Sequence, residues 1–447
     1  MQSPEVIIAG GGIAGISAAI AALERGWKPL LLERTAQLGG RARSLYARDA
    51  GNPIDIGQHV LSAAYTETCQ LLQTIGSFDE IDFQKRLRVD FRLHLRRNFR
   101  FRAWPLPAPL HFLLPLLLNS PLGKTDRKFL FRQAWRSRQF SPAQLKKMTV
   151  REWLDAAGKA PFLEKLLWEP LTLATLNTPV EQASAFLLQQ ALEKAFLGTS
   201  RRSGLGIPKT LLGDIFAAPA EEYIREHGGE IRAGSAVKKV LIEDGRAAAV
   251  ETRGGEILPT PYLILALPPH ALTRLIGDSP GLAPAFRQDF SQFRCSPIIT
   301  INLWLKNPLP GEFPMALVDS PAQWIFKLPD TSGRGEAFGY AVVISAAFEL
   351  AERSSAEILE VLSREFRHFF GKDIFQDLHL LAGKVVKEKS ATILQTPGTL
   401  KLRPPCRTNL PNLFLAGDWI DTGLPATIES AVVSGKMAVE EAVGRGR

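Results

Sequence analysis

Residues 5–33 read EVIIAGGGIAGISAAIAALERGWKPLLLE, and this stretch decides the fold. An apolar strand runs into a glycine-rich turn, an alanine-rich helix follows, and a second apolar strand ends at Glu33. The turn has the form GxGxxG between Gly10 and Gly15, and it stands between a strand and a helix, which is the context that gives the pattern its meaning. We therefore predict a βαβ unit that binds a dinucleotide.

The glycines and the acid each have a physical task in such a unit. Gly10 permits the tight turn, Gly12 leaves space for a pyrophosphate, and Gly15 lets the helix pack closely on the strand. The helix N-terminus offers unpaired N–H groups to the phosphates. The acid, 18 residues after Gly15, is placed to accept hydrogen bonds from the adenosine ribose. The cofactor-binding residues predicted in this stretch are Gly10, Gly12, Ala14, Gly15, Glu33 and Arg34.

A second pair of glycines narrows the class of cofactor. Gly39, Gly40 and Arg41 follow shortly after Glu33. This segment resembles the GG-R segment of the flavoprotein superfamily of amine oxidases, protoporphyrinogen oxidases and carotenoid desaturases. The resemblance implies non-covalent FAD, with Gly40 and Arg41 beside its pyrophosphate. It also implies an α/β fold, in which a Rossmann-like FAD-binding domain of the GR2 type carries an inserted α+β substrate domain.

Further segments extend this resemblance along the chain. Residues 413–437 read LFLAGDWIDTGLPATIESAVVSGKM, which is similar to the second FAD signature of the superfamily: a strand, a Gly-Asp pair, a loop, and a helix from about Thr427. A helix N-terminus that points at the flavin ring stabilises the negative charge of reduced flavin. The resemblance also places the segment after Asp55 beside the ring and the backbone of Val237 at the adenine. The implied cofactor-binding residues are Gly57, Gln58, His59, Val237, Gly417, Asp418, Pro425, Ala426 and Thr427.

Three stretches are more specific than the superfamily. Residues 54–76, 167–185 and 415–436 resemble the bacterial hydroxysqualene dehydroxylases, also called squalene-associated FAD-dependent desaturases. That family reduces hydroxysqualene to squalene on the route to hopanoids. The resemblance therefore implies loss of an allylic hydroxyl as water and hydride transfer from reduced FAD. A carotenoid desaturase of the phytoene type, or another flavin oxidase of the superfamily, is the alternative. The sequence leaves the electron donor unassigned.

Candidate catalytic residues are few. Two roles stay open for His59: a general acid that protonates the substrate hydroxyl, or a side chain that only contacts the cofactor. Gln58 is the second candidate at the reacting centre. Residues 166–179 and 184–197 are apolar with few polar positions, which favours a long hydrocarbon substrate. Trp168 and Pro170, on the first of these segments, are the candidate substrate-binding residues.

The cofactor domain is expected to be discontinuous, with residues 1–84, 205–285 and 385–447 in it and residues 85–204 and 286–384 in the substrate domain. The first insertion opens on a strict alternation in residues 86–96. Leu87, Val89 and Phe91 fall on one face and charged residues on the other, so we predict a half-buried strand paired with a second strand through Phe99. His94 is expected on the solvated face.

Composition excludes several classes of protein. A hydrophobic fraction of 45% and a charged fraction of 22% are typical of a globular chain. Cys69, Cys295 and Cys406 form no zinc motif and no disulfide framework, so we expect no metal and a reducing compartment. No basic segment precedes the first strand, and no run of about 18 apolar residues occurs, so neither a signal peptide nor a transmembrane helix is predicted.

One region is strongly basic. Residues 85–138 contain 14 Lys and Arg against 2 Asp, a net charge of +12, whereas the whole chain carries +9. The apolar stretch PLPAPLHFLLPLLLNSP lies inside it at residues 105–121, and it predicts a short helix at about 111–119. Apolar residues with basic and aromatic flanks are typical of an interfacial membrane anchor. A helix pair over the substrate cavity, with a merely solvated basic face, is the alternative.

Nucleic-acid binding is disfavoured, because the sequence contains no recognised nucleic-acid module to accompany the charge. We expect a cytoplasmic protein attached peripherally to the inner face of the cytoplasmic membrane.

Overall fold

The computed structural model describes residues 4–47, 52–93, 98–137, 139–196, 203–329 and 337–445. His94 and the connection between the two predicted strands, residues 94–97, lie outside the described residues.

Strands of the described residues run, in chain order, as β1 Val6–Ala9, β2 Pro29–Leu32, β3 Ser44–Ala47, β4 Asn52–Asp55, β5 Leu61–Ser62, β6 Ile81–Phe83, β7 Arg88–Arg92, β8 Asn98–Arg102, β9 Leu205–Pro208, β10 Glu230–Arg232, β11 Val237–Glu243, β12 Arg246–Thr252, β13 Ile257–Pro259, β14 Leu263–Leu265, β15 Cys295–Leu305, β16 Met315–Leu317, β17 Trp324–Lys327, β18 Phe338–Ser345, β19 Leu380–Ile393 and β20 Leu413–Leu415.

The α-helices are α1 Ile13–Glu24, α2 Thr66–Thr74, α3 Leu110–Asn119, α4 Lys124–Ser137, α5 Pro142–Leu145, α6 Val150–Asp155, α7 Pro161–Leu163, α8 Glu169–Leu176, α9 Ala185–Phe196, α10 Ala218–Glu226, α11 Pro269–Asp278, α12 Ser355–Phe370, α13 Pro397–Leu402 and α14 Ile428–Arg445. The helix predicted in the proline-rich apolar stretch is thus present as α3, and the helix predicted from Thr427 begins one residue later as α14.

A parallel sheet of five strands forms the first core, in the order β10-β2-β1-β14-β20. Its central strands are buried along their whole length, which is why they are short apolar runs with no alternation. β1 pairs with both β2 and β14, and β14 pairs with β20, so the two ends of the chain share one sheet. This is the expected Rossmann-like α/β architecture, and the α/β prediction is confirmed.

The first and last helices pack backbone against backbone beside this sheet. A Cβ atom on Gly435 of α14 would lie 2.4 Å from the carbonyl oxygen of Ala14 and 2.8 Å from the nitrogen of Ala18 on α1. The hydroxyl of Ser17 donates a hydrogen bond to the carbonyl of Val432 at 2.8 Å. The small residues of α1 therefore serve close helix packing.

A sheet of seven strands forms the second core, in the order β19-β15-β18-β17-β16-β7-β8. One face packs on α12, where Ile301 and Leu303 belong to the same buried cluster as Phe366. The predicted hairpin at the start of the first insertion is present as β7 and β8, which pair antiparallel from Arg88 opposite Arg102 to Arg92 opposite Asn98.

The charged face predicted for β7 is wrong in one respect, because Asp90 and Arg92 are buried. Arg100 donates to the Asp90 carboxylate at 3.2 Å, and Arg92 donates to the Pro310 carbonyl at 2.6 Å. The loop before β16 covers this face, and sequence alternation alone carries no sign of such a long-range cover.

A small sheet connects the two cores, since β9 pairs with both β5 and β6. β19 stays in the seven-stranded sheet from Leu380 to Ile393, where Cys295 pairs with Ile393. We therefore propose that the last part of the cofactor domain begins after residue 393 and not at 385. Within the described residues, no helix has the length and apolar character needed to span a bilayer.

Substituting Gly435 tests the contact between α1 and α14. Gly435→Ala should lower the free energy of unfolding by about 1–3 kcal/mol, because the added methyl group collides with backbone atoms that cannot rotate away. The measurement is the urea unfolding midpoint.

Gly444→Ala is the matched control on the same helix. A Cβ atom at Gly444 meets nothing within 4 Å, so alanine should leave stability unchanged or raise it slightly through its better helix propensity. Equal effects of the two substitutions would contradict the close contact.

Candidate active site

The carboxyl ends of the parallel strands meet at one edge of the sheet. Gly10 follows β1, Glu33 follows β2, and Gly417 lies just past the end of β20. Glu33 is buried, and its carboxylate accepts hydrogen bonds from the backbone nitrogens of Gly11 at 2.7 Å and Thr35 at 2.8 Å. Glu33 therefore also stabilises the glycine turn; its contact with a ribose stays a prediction.

The three glycines of the turn differ in what surrounds them. Gly10 has φ +110°, and a Cβ atom there would lie 2.4 Å from the Ala266 carbonyl oxygen. A Cβ atom on Gly15 would lie 1.8 Å from the Gly10 carbonyl oxygen, so neither position tolerates a side chain. At Gly12 a Cβ atom meets nothing within 4 Å. Open space over Gly12, at the start of α1, fits the pyrophosphate predicted there.

The second pair of glycines lies directly against the first turn. The Gly39 nitrogen donates to the Gly11 carbonyl at 2.8 Å, and a Cβ atom on Gly40 would lie 3.0 Å from the Cα of Gly12. The two glycine segments thus form one backbone surface around the predicted pyrophosphate position.

Arg41 connects this surface to the far end of the chain. Its guanidinium donates to the Asp418 carboxylate at 2.6 Å and to the Ala391 carbonyl at 2.7 Å. The charge of Asp418 raises the pKa of Arg41 against the opposing effect of burial. Arg41 and Asp418, both predicted at the cofactor, are therefore brought together across more than 370 residues of sequence.

The loop after β20 is held by a buried arginine that the sequence analysis missed. Arg403 donates hydrogen bonds to the carbonyls of Leu424 at 2.6 Å and Asp418 at 3.2 Å, and also to those of Trp419 and Ile420. Gly417 has φ +150°, and its nitrogen donates to the Ser434 hydroxyl at 2.8 Å. This loop is consequently fixed against α14.

Pro425, Ala426 and Thr427 lie between this loop and α14, as predicted. The Ala426 nitrogen donates to the Gln395 side chain at 2.8 Å, and that side chain also donates to the Leu176 carbonyl at 3.0 Å. Gln395 therefore links the segment to the end of α8.

At the predicted adenine end, the Ser235 nitrogen donates to the Glu33 carbonyl at 2.8 Å, which places the segment leading to Val237 beside Glu33. Arg34 is close enough to His270 to contribute to lowering the pKa of His270, whose largest cause is burial. Ala14 is buried in the contact between α1 and α14.

His59 and Gln58 have different surroundings in the structure. The Nδ1 atom of His59 lies 2.8 Å from the Gly57 carbonyl oxygen, so Nδ1 carries the proton and Nε2 is left as an acceptor. Burial lowers the pKa of His59, and the charge of Arg41 lowers it further. Gln58 lines the cavity described next, whereas His59 is not part of its wall.

A cavity of about 330 Å³ lies between the two cores. Strands β7, β8 and β17 and helices α3, α8 and α9 supply about half of its wall, and the wall is mainly aliphatic and aromatic. Pro170, a candidate substrate-binding residue, lines the cavity; Trp168, the other candidate, does not, and packs edge-on against Trp153 with ring centroids 5.3 Å apart.

The ionisable residues in this wall are Tyr65, Lys194 and Glu429. Burial raises the pKa of Tyr65 to about 12, and Thr427 is close enough to the phenol to oppose part of that rise. Pro425 and Leu424 line the same part of the wall. The cavity therefore extends to the segment predicted to face the flavin ring. Sequence analysis missed Tyr65 and Glu429.

The fold and this site define an FAD-dependent oxidoreductase. Residues 13–443 match the family described as flavin containing amine oxidoreductase, and the chain belongs to that family. Within the described residues, no group of three or more His, Cys, Asp or Glu is placed to hold a metal ion.

Curated relatives narrow the resemblance. The chain is 26% identical to the hydroxysqualene dehydroxylase of Rhodopseudomonas palustris, with 100% of both chains covered. It is 27% identical to the hydroxysqualene dehydroxylase of Zymomonas mobilis, with 98% of each covered. It is also 24% identical to the 15-cis-phytoene desaturase of Solanum lycopersicum, over 98% of this chain and 77% of that protein. The resemblance expected from the sequence is confirmed.

Solved structures support the fold. An oxidoreductase from Methanosarcina mazei superposes with a TM-score of 0.76 at 16% identity, covering 97% of this chain and 99% of that one. Cyclohexylamine oxidase from Brevibacterium oxydans superposes with a TM-score of 0.70 at 15% identity and complete coverage of both chains.

Two glycine substitutions separate cofactor binding from folding. Gly12→Ala should leave the thermal midpoint of the FAD-free protein unchanged, because the methyl group enters open space, and should weaken FAD binding at least tenfold by occupying the predicted pyrophosphate position. FAD affinity is measured by fluorescence titration of the FAD-free protein.

Gly15→Ala is the comparison, and it should lower the thermal midpoint even without FAD, since its methyl group meets the Gly10 carbonyl oxygen. Wild-type FAD affinity in Gly12→Ala would contradict the predicted pyrophosphate position.

Proposed function

We propose that this oxidoreductase reduces hydroxysqualene to squalene, with loss of the allylic hydroxyl as water. The observation that carries the proposal is the apolar cavity, which extends to Pro425 and Thr427 at the predicted flavin-facing segment. Its wall offers extensive hydrocarbon contact and few polar groups, as a long isoprenoid with a single hydroxyl requires. The two hydroxysqualene dehydroxylases matched over nearly full length support the same substrate.

The residues of the sheet edge fit FAD. Gly12, Gly40 and the N-terminus of α1 would hold its pyrophosphate, Glu33 its ribose, and Arg41 with Asp418 the region toward the ring. When bound in its reduced form, FAD supplies the hydride that replaces the lost hydroxyl.

The chain contributes a dry environment to this chemistry. Once the hydroxyl has taken up a proton, supplied in the end by solvent, it leaves as water and a delocalised allylic cation remains, which water would recapture. Phe91, Phe101 and Phe112 face the cavity, and such walls exclude water from the reacting carbon. The fixed loop from Gly417 to Thr427 would hold the cavity and the cofactor edge in one relative position.

The geometry favours the cofactor-contacting role for His59 over the role of general acid. A histidine that is neutral, with Nε2 as an acceptor and no position in the cavity wall, is poorly suited to protonate a substrate in that cavity. We therefore keep His59 as a proposed neighbour of the cofactor.

Phytoene desaturation is the second candidate, since the tomato phytoene desaturase is similar over 98% of this chain. It would use the same apolar cavity but run the flavin oxidatively, so the direction of electron flow distinguishes the two functions.

Anaerobic reoxidation of the flavin tests the proposed function. Photoreduced enzyme should regain its oxidised flavin absorbance when hydroxysqualene is added, with one squalene formed per flavin, because the substrate accepts the hydride. Absorbance and product extraction are the measurements.

Phytoene added to the oxidised enzyme is the counter-experiment, and it should leave the flavin oxidised. Reduction of the flavin by phytoene, together with no reoxidation by hydroxysqualene, would replace the proposal with desaturation.

We also propose that α3 and α4 attach the protein to the inner face of the cytoplasmic membrane, the source of its substrate. Phe112 and Leu116 of α3 line the cavity, while Leu110 and Leu118 of the same helix are 46% and 61% exposed. One apolar helix thus separates the cavity from the surface.

The exposed face of α4 continues this surface. Phe131 and Trp135, 65% and 64% exposed, alternate with the exposed Lys124, Lys128 and Arg132 at helical spacing. Aromatic side chains that insert at the acyl boundary, flanked by cations that meet anionic headgroups, are typical of an interfacial helix.

Vesicle sedimentation tests this attachment. The double substitution Phe131→Ser/Trp135→Ser should lower partitioning onto anionic vesicles about tenfold or more, because it removes aromatic area that would be buried in the membrane. Lys124→Gln/Lys128→Gln should lower it about tenfold at low salt and much less at high salt, since screening weakens charge attraction.

Ile257→Ser, on the exposed side of β13, and Arg287→Gln/Lys401→Gln are matched controls away from this surface, and they should change nothing. Absence of vesicle binding by the wild-type protein at low salt would refute the attachment.

A further inference from the structure

The cavity has one group of polar side chains next to the predicted flavin-facing segment. Tyr65 precedes α2, Thr427 precedes α14, and Glu429 lies in the first turn of α14. All three line the cavity. Thr427 and Glu429 are both close enough to the Tyr65 phenol to affect its pKa.

The Glu429 carboxylate binds the first turn of α2. Its carboxylate accepts hydrogen bonds from the Thr68 nitrogen at 2.9 Å, the Thr68 hydroxyl at 2.7 Å and the Glu67 nitrogen at 3.1 Å. These donors stand at the N-terminus of α2, where a carboxylate is stabilised by the helix dipole. Glu429 is therefore an anchor that fixes the position of Tyr65, the residue before that helix.

Two other hydroxyl groups of the wall already have backbone partners. Thr175 donates to the Leu171 carbonyl of its own helix at 2.7 Å, and the Ser62 hydroxyl accepts from the Ala64 nitrogen at 3.2 Å. Lys194 is exposed to solvent. Tyr65 is the wall residue that combines a strong donor, a rigid attachment and a position beside Thr427.

We propose that Tyr65 binds the substrate hydroxyl by donating a hydrogen bond to its oxygen. This inference rests on the proposed function. A hydrocarbon chain can slide along an apolar wall, so a directional contact is needed to bring one chosen carbon to the cofactor. Tyr65 supplies that contact.

The environment keeps Tyr65 in its donating form. The pKa of Tyr65 is raised to about 12, mainly by burial and further by the negative charge of Glu429. The phenol is consequently protonated throughout the neutral range, and its hydrogen bond to substrate should not depend on pH there.

Comparison of two ligands that differ by one hydroxyl tests the proposal. Oxidised FAD-loaded enzyme is titrated with hydroxysqualene and with squalene, and binding is followed by the change in flavin absorbance. Tyr65→Phe should weaken hydroxysqualene binding about five- to tenfold, the range for one lost hydrogen bond, and should change squalene binding less than twofold. The FAD content and thermal midpoint of the variant are checked first, since only the phenol oxygen is removed.

Tyr262→Phe is the matched control, because Tyr262 stacks on Trp27 with ring centroids 5.0 Å apart and does not line the cavity. It should leave both affinities unchanged. The role of Tyr65 is overturned if Tyr65→Phe binds both ligands as the wild-type enzyme does, or if it loses the same affinity for both. In either case the proposed function still stands as long as hydroxysqualene reoxidises the flavin of the wild-type enzyme. A wild-type enzyme that fails to bind hydroxysqualene overturns both.

Discussion

Parallel pairing of β1 with β14 and of β14 with β20 is the constraint on which the site depends. It brings the carboxyl ends of strands from both ends of the chain to one edge, where helix N-termini and glycine backbone meet. Only there can Arg41 reach Asp418 at 2.6 Å. The close approach of Gly40 to Gly12, 3.0 Å for an added Cβ atom, shows that the glycine segments are shaped as one surface.

Buried polar side chains connect the cofactor edge of the sheet to the cavity wall through hydrogen bonds. Asn177, in a left-handed conformation with φ +46°, donates to the Ser296 carbonyl at 3.2 Å and accepts from the Ala346 nitrogen at 2.7 Å. Gln395 links the end of α8 to Ala426. Arg403 donates to the backbone carbonyls of Asp418 and Leu424, which precede Ala426 in the chain. Because an unpaired polar group is costly in such a place, these contacts fix the segment between cofactor and substrate more firmly than apolar packing would.

The sequence was informative where chemistry is local. The glycine turn, the acid after β2, the second signature and the start of α14 all depend on residues adjacent in the chain, and the predicted start of α14 lies one residue from the observed one. Long-range partners were not readable. Nothing near Arg403 indicates that it binds carbonyls some 15–21 residues later, and Tyr65 carries no motif of its own. The prediction that Asp90 lies on an exposed face was wrong for the same reason, because the residues that cover it lie near position 310.

Helix α3, which contains Pro115, separates the cavity from the surface. Phe112 faces the cavity and Leu118 faces outward. Any helix that closes a domain needs an apolar inner face, but its outer face is ordinarily polar, so the exposed Leu118 is consistent with the proposed contact with lipid. Moving a long hydrocarbon through water costs roughly 25 cal/mol for each Å² exposed. A wall one helix thick, placed against lipid, would let such a substrate pass from one apolar medium to another without that cost. In the proposed attachment, the basic residues of α4 would orient this wall toward the membrane.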